Sequence, residues 1–526
     1  MSALVRAVVA VLLLTLGVGC ASQPAQPATS SPAQPDVPPP LVPAMALPQN
    51  AVDNAVAKLD DLAEGLMAKS GIPGLAVAVV HEGKTVYAKG FGVKDVGETT
   101  ESNRVDPDTV FQLASLSKPL AATVVAHQVG VGAVDWNTPI VSKLPWFTLS
   151  DPTVTRMVTV GDMLAHRSGL PDHAGDKLED IGYDRRQVLE RLGQLPLDPF
   201  RISYAYTNFG FTAGAEAVAV GAGKPWEQLA EDVLFEPLGM SSTSYRFADY
   251  QDRPNRAVGH IRVDGRYQPT YVRDADPEAP AGGASASAND MTRWLAMVLA
   301  NGSHDGKQIV DPKALLPALT PQIVSARATE PAMRSGFYGY GFNVSSTSGA
   351  RMELSHSGAF LLGAGTNFVI LPSADVAIVA LTNGSPSGVP ETLTAEFADL
   401  VQFGEVREDW YRLYSKALGE MDEPEGSLAG KQPPADPAPA APLPSYTGVY
   451  HNDYWGAATI TEADGELRLR LGTKLAARLS HWDGNTFTYR WVSENSPPGS
   501  VSKVTFDGDT LIIEDYDEFG KGAFRR

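Results

Sequence analysis

The chain is almost free of cysteine: it has one in 526 residues. A single thiol excludes an intramolecular disulfide framework and any cysteine-based zinc site. The nine histidines include no H-E-x-x-H pair of the kind that holds catalytic zinc, so neither a metal nor another cofactor is expected. Positive charge is scarce as well. Lys and Arg number 42 against 61 Asp and Glu, a net charge of −19, and the basic residues gather no further than pairs such as Arg185-Arg186. Nucleic acid, whose phosphates demand Lys/Arg clusters, is excluded as a partner. Beyond the N-terminus no stretch is apolar for long enough to span a bilayer. The 43% hydrophobic and 20% charged residues are a globular composition, and the length exceeds one ordinary domain.

The lone cysteine is Cys20, and its place is informative. Arg6 precedes a compact apolar run over residues 7–16, so residues 1–20 read as a signal peptide. Leu16-Gly17-Val18-Gly19-Cys20 resembles a bacterial lipobox, with Gly17 where leucine is usual. The resemblance implies acylation at Cys20 and an exported protein anchored by lipid at the periplasmic face of the cell envelope. Ordinary cleavage at Gly19-Cys20-Ala21 is the alternative and would leave a soluble periplasmic or secreted protein. Residues 21–48, rich in Pro, Ala, Ser and Gln, are too poor in apolar surface to fold and are expected to form a disordered tether.

From 49 to 415 the pattern is that of one domain. Residues 75–80 and 85–89 read as a hairpin around His81-Glu82-Gly83-Lys84, and residues 366–371 and 376–382 as two further strands. Residues 391–401 read as a closing helix. The middle is helical segments and Gly/Pro-punctuated loops. Strands at both ends around a helical insert imply an α+β fold, one antiparallel sheet flanked by helices. Residues 416–444 are a Pro/Ala-rich linker. Residues 445–526 show short alternating strands and turns at Asp464-Gly465, Asp483-Gly484 and Asp507-Gly508, as in a small all-β barrel. Tyr450, Tyr454 and Trp455 there read as core rather than as a sugar-stacking face, and no catalytic constellation is visible in that unit.

Three short stretches carry chemistry: Ser115-Leu116-Ser117-Lys118, Tyr206-Thr207-Asn208 and His356-Ser357-Gly358. A serine hydroxyl needs an adjacent base to act as a nucleophile. A lysine three residues on lies one helical turn away, and burial lowers the pKa of its amine into a useful range. A tyrosine can relay the proton, and asparagine and histidine can hold the parts in register. Each stretch alone is weak, and reads equally as a helix-start serine with a solvated lysine, a core tyrosine and a loop histidine. Their ordered combination is specific. Tyr204 competes with Tyr206 but lacks an asparagine two residues on. A Ser-His-Asp reading with His166 and Asp172 fails for want of a G-x-S-x-G elbow around Ser115.

In this set the chain resembles the serine β-lactamases and penicillin-recognising peptidases, and within them the class C-like hydrolases. His166-Arg167-Ser168-Gly169-Leu170-Pro171, Glu236-Pro237-Leu238-Gly239-Met240 and Gly282-Gly283-Ala284-Ser285 extend the likeness over residues 50 to 415. The resemblance implies a β-lactamase/transpeptidase-like fold and an acyl-enzyme on Ser115, with Lys118 and Tyr206 as catalytic partners. It places Asn208, His356, Gly358 and Ala359 around the substrate, with the amides of Ser115 and Ala359 as an oxyanion hole. Gly358 is expected to let its strand approach substrate closely. His356 stands where many β-lactamases carry lysine, and as an imidazolium it would hold an anionic substrate group. The expected function is hydrolysis of an ester or amide bond in a small molecule or peptide. A true β-lactamase or D,D-carboxypeptidase, and a penicillin-recognising sensor that acylates without turnover, are the alternatives.

Overall fold

The computed structural model describes residues 45–526. The expected signal peptide, Cys20 and nearly all of the proline-rich segment expected to form a tether lie outside the described residues. Among those described, no helix is long and apolar enough to cross a membrane.

The first domain is built on one eight-stranded antiparallel sheet. After α1 (Leu59–Ser70) come β1 (Gly74–His81) and β2 (Lys84–Gly92). The helical insert includes α2 (Ser117–Gly130), α3 (Asn208–Ala222) and α4 (Ala288–Leu299). Then follow β3 (Ile323–Ala326), β4 (Gly336–Tyr338), β5 (Asn343–Ser346), β6 (Met352–Phe360), β7 (Ala364–Leu371), β8 (Val376–Thr382) and α5 (Val389–Phe403). Their order across the sheet is β2-β1-β8-β7-β6-β5-β4-β3. The chain's first strands therefore pair with its last, Leu75 opposite Thr382 and His81 opposite Val376.

The reason lies in the strand sequences. β1 and β8 are apolar at nearly every position and buried along their length, so they need cover on both faces. Successive side chains alternate between faces. Leu75, Val77 and Val79 join Ile378 and Ala380 under α1 and α5. Ala76, Ala78 and Val80 join Val379 and Leu381 in the core shared with the helical insert. The sheet is thus the middle of three layers.

Past α6 (Trp410–Gly419) the chain does not run free. Residues 420–444 lie on the second unit: Val501 N donates to Glu425 O at 3.0 Å, and Ala438 N to Asp483 Oδ1 at 2.7 Å. Eight strands then close a meander barrel, β9 (Gly448–Asn452) to β16 (Ala523–Arg525), sealed by His451 opposite Arg525. Leu467, Leu469 and Leu471 point inward, and Arg468 and Arg470 outward. Tyr450, Tyr454 and Trp455 are fully buried, as core residues are.

The barrel is docked onto the sheet-and-helix domain, and the described residues form one compact unit. Thr473 N donates to Ile181 O at 2.8 Å. Lys177 pairs with Asp515 at 3.0 Å. Asp180 Oδ2 accepts from Ser493 Oγ at 2.7 Å, and Glu494 Oε1 from Leu361 N at 2.8 Å. Glu494 therefore reaches the turn directly after β6, the strand that carries His356-Ser357-Gly358.

Candidate active site

Ser115 sits in a 3-10 turn, Ala114–Leu116, which runs into α2. From Leu120 to Ala126 that helix is apolar apart from Thr123 because it lies inside the core, and Pro119 is tolerated in its first turn. Ala114 is left-handed, φ 47°, which costs a non-glycine residue roughly 1–2 kcal/mol. Neighbours hold the kink in place. Leu113 N donates to Ala284 O at 2.8 Å, Thr366 Oγ1 to Leu113 O at 2.7 Å, and Ser117 Oγ to Ala114 O at 2.6 Å.

Gly358 explains how β6 meets this turn. A Cβ there would lie 2.2 Å from Thr366 Oγ1, 2.3 Å from Leu113 O and 3.1 Å from Ser115 N. The missing side chain admits the nucleophile's own backbone.

Lys118 Nζ lies 3.0 Å from Ser115 Oγ, 2.7 Å from Asn208 Oδ1 and 3.0 Å from Ala281 O. Tyr206 OH donates to Ser115 Oγ at 2.7 Å. Asn208, opening α3, uses its other end to donate to Asp176 Oδ2 at 2.9 Å. Two candidates for the base thus flank one hydroxyl, and their environments separate them. Burial pushes the Lys118 ammonium down to about 7, against the opposing pull of Glu278 and Asp176. Burial holds the Tyr206 phenol well above its usual range. Near neutral pH the lysine is available as an amine while the tyrosine stays a phenol.

His356 is not the expected cation. Its ring is buried, with Nε2 2.9 Å from Tyr338 OH and Nδ1 2.7 Å from Ser357 O. Burial and the nearby Lys118 charge push it down to about 3. The ring is neutral at physiological pH and does not line the cavity, so it cannot hold a substrate carboxylate. His166 is likewise buried and neutral, held well below its usual range by burial. It accepts from Thr207 N at 3.1 Å and packs on the Tyr206 ring, positioning the second motif without touching Ser115.

The space in front of Ser115 is a cavity of about 210 Å³. Its walls are Tyr206, Asn208, Ser357, Ala359 and Phe360, the polar side chains of His173, Asp176, Glu179, Arg273 and Glu278, and three residues from beyond the catalytic domain, Met421, Glu494 and Asn495. A larger cleft of about 880 Å³ beside Trp146, Arg185 and Arg186 contains none of the three motifs. Chemistry, not size, marks the smaller one.

The family model described as Beta-lactamase matches residues 59–403. The chain belongs to the beta-lactamase family. A second model, described only as a domain of unknown function, matches residues 432–511. An unguisins hydrolase of Aspergillus violaceofuscus is 25% identical over 79% of this chain and 80% of its own. Penicillin-binding protein 4 of Amycolatopsis lactamdurans is 28% identical over 74% of this chain and 96% of its own. Among solved structures, the octameric penicillin-binding protein homologue from Pyrococcus abyssi superposes with a TM-score of 0.58 at 17% identity, over 90% of this chain and all of that one, a likeness of fold.

This beta-lactamase-family chain is a serine hydrolase. Several residues of its cavity carry no motif that sequence reasoning could use. Asp176 and Glu179 lie on a short helical turn, and Glu278 just before Gly282-Gly283; acidic residues next to a quoted motif were the available signal. Glu494 and Asn495 had none, because only the docking of the barrel brings them to Ser115.

Proposed function

We propose that the protein hydrolyses an ester or amide bond of a small molecule or peptide through an acyl-enzyme on Ser115. The observation that carries this reading is the Ser115 hydroxyl held between Lys118 Nζ and Tyr206 OH, with the lysine amine near its titration point. Lys118 takes the Ser115 proton as Oγ attacks the carbonyl. The proton passes through the neutral Tyr206 phenol to the leaving oxygen or nitrogen, and water then reverses the sequence to release the acid. The amides of Ser115 and Ala359 would receive the developing oxyanion. Losing one such donor costs about 3 kcal/mol in the transition state.

Ser115→Ala is expected to abolish both hydrolysis and labelling by a fluorophosphonate, with the far-UV circular dichroism unchanged. A label mapping to another serine would overturn the assignment. The neutral His356 leaves an anionic β-lactam or peptide carboxylate without a counter-charge at that position, which disfavours an efficient β-lactamase or D,D-carboxypeptidase. The likeness to a penicillin-binding protein supports penicillin recognition without turnover as the second reading. Recovery of activity after a fluorescent penicillin separates the two, since a sensor stays acylated. Export with a lipid on Cys20 belongs to the same proposal. It rests on the apolar run before a single cysteine, and mass spectrometry of the mature N-terminus tests it.

A further inference from the structure

Lys118 can take the Ser115 proton only if its lone pair points at Oγ, and the hydrogen bonds around Nζ decide whether it does. An ammonium donates three times and accepts nothing; the amine left when one proton goes has two N–H bonds and one lone pair. Ser115 Oγ stands at 3.0 Å from Nζ, Asn208 Oδ1 at 2.7 Å and Ala281 O at 3.0 Å. The last two are carbonyl oxygens, which can only accept. They take the two N–H bonds, and the lone pair is left facing the serine. Tyr206 OH donates to Oγ, so the serine's own hydrogen is free to meet that lone pair. This count holds only while Asn208 presents its oxygen. A side-chain amide has an acceptor at one end and donors at the other, on nearly the same shape. Turned over, Asn208 would point its NH2 group at Nζ and take the lone pair away from Ser115.

We propose that Asp176 is a positioning residue for acylation: by fixing the amide of Asn208 it aims the Lys118 lone pair at the Ser115 hydroxyl. The proposal rests on the acyl-enzyme reading above and adds to it a group that acts through Asn208. Asp176 Oδ2 accepts from Asn208 Nδ2 at 2.9 Å and from His173 Nδ1 at 2.9 Å. The bond to Asp176 holds the His173 imidazolium up to about 9, so at neutral pH that ring nitrogen is a donor. An oxygen that takes hydrogen bonds from both sides offers Asn208 only an acceptor. The arrangement is held in place by its surroundings. Asp176 is buried, and its loop is tied to the second motif by His173 N, which donates to Tyr206 O at 2.8 Å. Gly175, with φ 96°, lets the loop lie against α3, since a Cβ there would stand 2.8 Å from Val188 Cγ1 and 3.1 Å from Phe209 Cδ2. In the step itself the Ser115 O–H bond breaks, its proton goes to Lys118 Nζ, and the Oγ electron pair forms the bond to the substrate carbonyl carbon. Asp176 and Asn208 exchange no proton. The charge on the amine is set by the carboxyls of Glu278 and Asp176, the neutral rings of His166 and His356, the His173 cation and the Tyr206 phenol.

The test follows pre-steady-state release of p-nitrophenol from p-nitrophenyl acetate by the full-length protein from pH 5 to 10, with Ser115→Ala as background. Asp176→Ala is expected to lower the acylation plateau about 10²-fold, the cost of a misaimed reacting group. Adding Asn208→Asp to it puts an acceptor at both ends of residue 208, which then has nothing to turn over. This double variant is expected to regain about tenfold or more of the plateau. Its pH limb is expected to lie above that of the wild type, because a carboxyl in contact with Nζ favours the ammonium. A residue that merely held its loop in place would not be replaced by a carboxyl at position 208. Asp176→Asn keeps the shape of the side chain and is the background used where Asp176→Ala does not fold. Its amide offers a donor as readily as an acceptor, and the same loss and recovery are expected. An Asp176 variant as fast as the wild type, or a double variant as slow as its Asp176 parent, would overturn the proposal. Release by Ser115→Ala as fast as by the wild type would overturn the acyl-enzyme reading itself.

Discussion

Tyr206→Phe separates the two groups that touch the nucleophile. The change removes one hydroxyl, and with it the 2.7 Å hydrogen bond to Ser115 Oγ, while keeping the buried ring against His166. If Lys118 is the base, the acylation rate on a neutral ester rises with pH through about 7. The descent from 10.5 to about 7 makes about half the enzyme competent at pH 7, where an ordinary lysine would offer about one part in 3,000. At 1.36 kcal/mol per unit, that tuning corresponds to about 5 kcal/mol between the two protonation states. Glu278 and Asp176 face the same amine as carboxyls, His166 and His356 as neutral rings and His173 as a cation, so the limb belongs to Lys118 coupled mainly to Glu278. Tyr206→Phe should therefore lower the plateau by about 10²–10⁴, the usual worth of one proton-transfer group, and leave the midpoint near 7. Pre-steady-state release of p-nitrophenol from pH 5 to 9 reads both quantities. A wild-type limb centred above 9, or one that disappears in Tyr206→Phe while Lys118→Ala keeps it, would refute the assignment of the base.

Lys118→Ala combined with Tyr206→Phe should lose less than the product of the single losses, because the two act as one unit; additive losses in single-turnover rates would contradict that. Gly358→Ala should cost about 1–3 kcal/mol of stability, as overpacking does, and about 10² in rate by displacing the Ser115 turn, read by urea denaturation and kcat/KM. Buried His356 is neutral when folded and titrates near 6.5 when unfolded, so its folded pKa is depressed. Its contribution is present above about 6.5 and is lost as pH falls from there toward about 3. By pH 5 that loss amounts to about 2 kcal/mol. His356→Gln should abolish this part of the pH dependence in urea melts, and equal slopes in both proteins would contradict the burial argument.

Much of the architecture was legible because it is written in local pattern. The nearly continuous apolar runs of β1 and β8 leave no solvent face, so cover on both sides follows from composition. The Leu-Arg-Leu-Arg-Leu alternation of residues 467–471 marks a barrel wall for the converse reason, one face turned to a core and the other to solvent. The candidate site was partly legible: Ser115 and Lys118 are one helical turn apart, and Asn208 follows Tyr206 at a helix start. Each spacing is local, and the tertiary structure then brings the four together. The surroundings of His356 and Gly358 were not legible. Whether an imidazole is charged depends on what buries it, and the neighbours of His356, Tyr338 and Lys118, come from distant segments. The object that a glycine lets approach is equally non-local, and for Gly358 it is the backbone of Leu113 and Ser115.

The sequence by itself determined the elements and the reactive parts: two folding units, a both-faces-buried sheet, and a serine with a lysine one turn away. Hydrophobic periodicity and short-range spacing need no knowledge of the rest of the chain. Only the tertiary structure decided the electrostatics. The Lys118 ammonium is pushed down to about 7 because the core closes around it. Asp176, Glu179, Glu278 and Arg273 become one cavity wall, and Glu494, far along the chain, joins them through the docking of a barrel. Burial and charge coupling are properties of enclosed space, and that space exists only once residues distant in sequence have packed together.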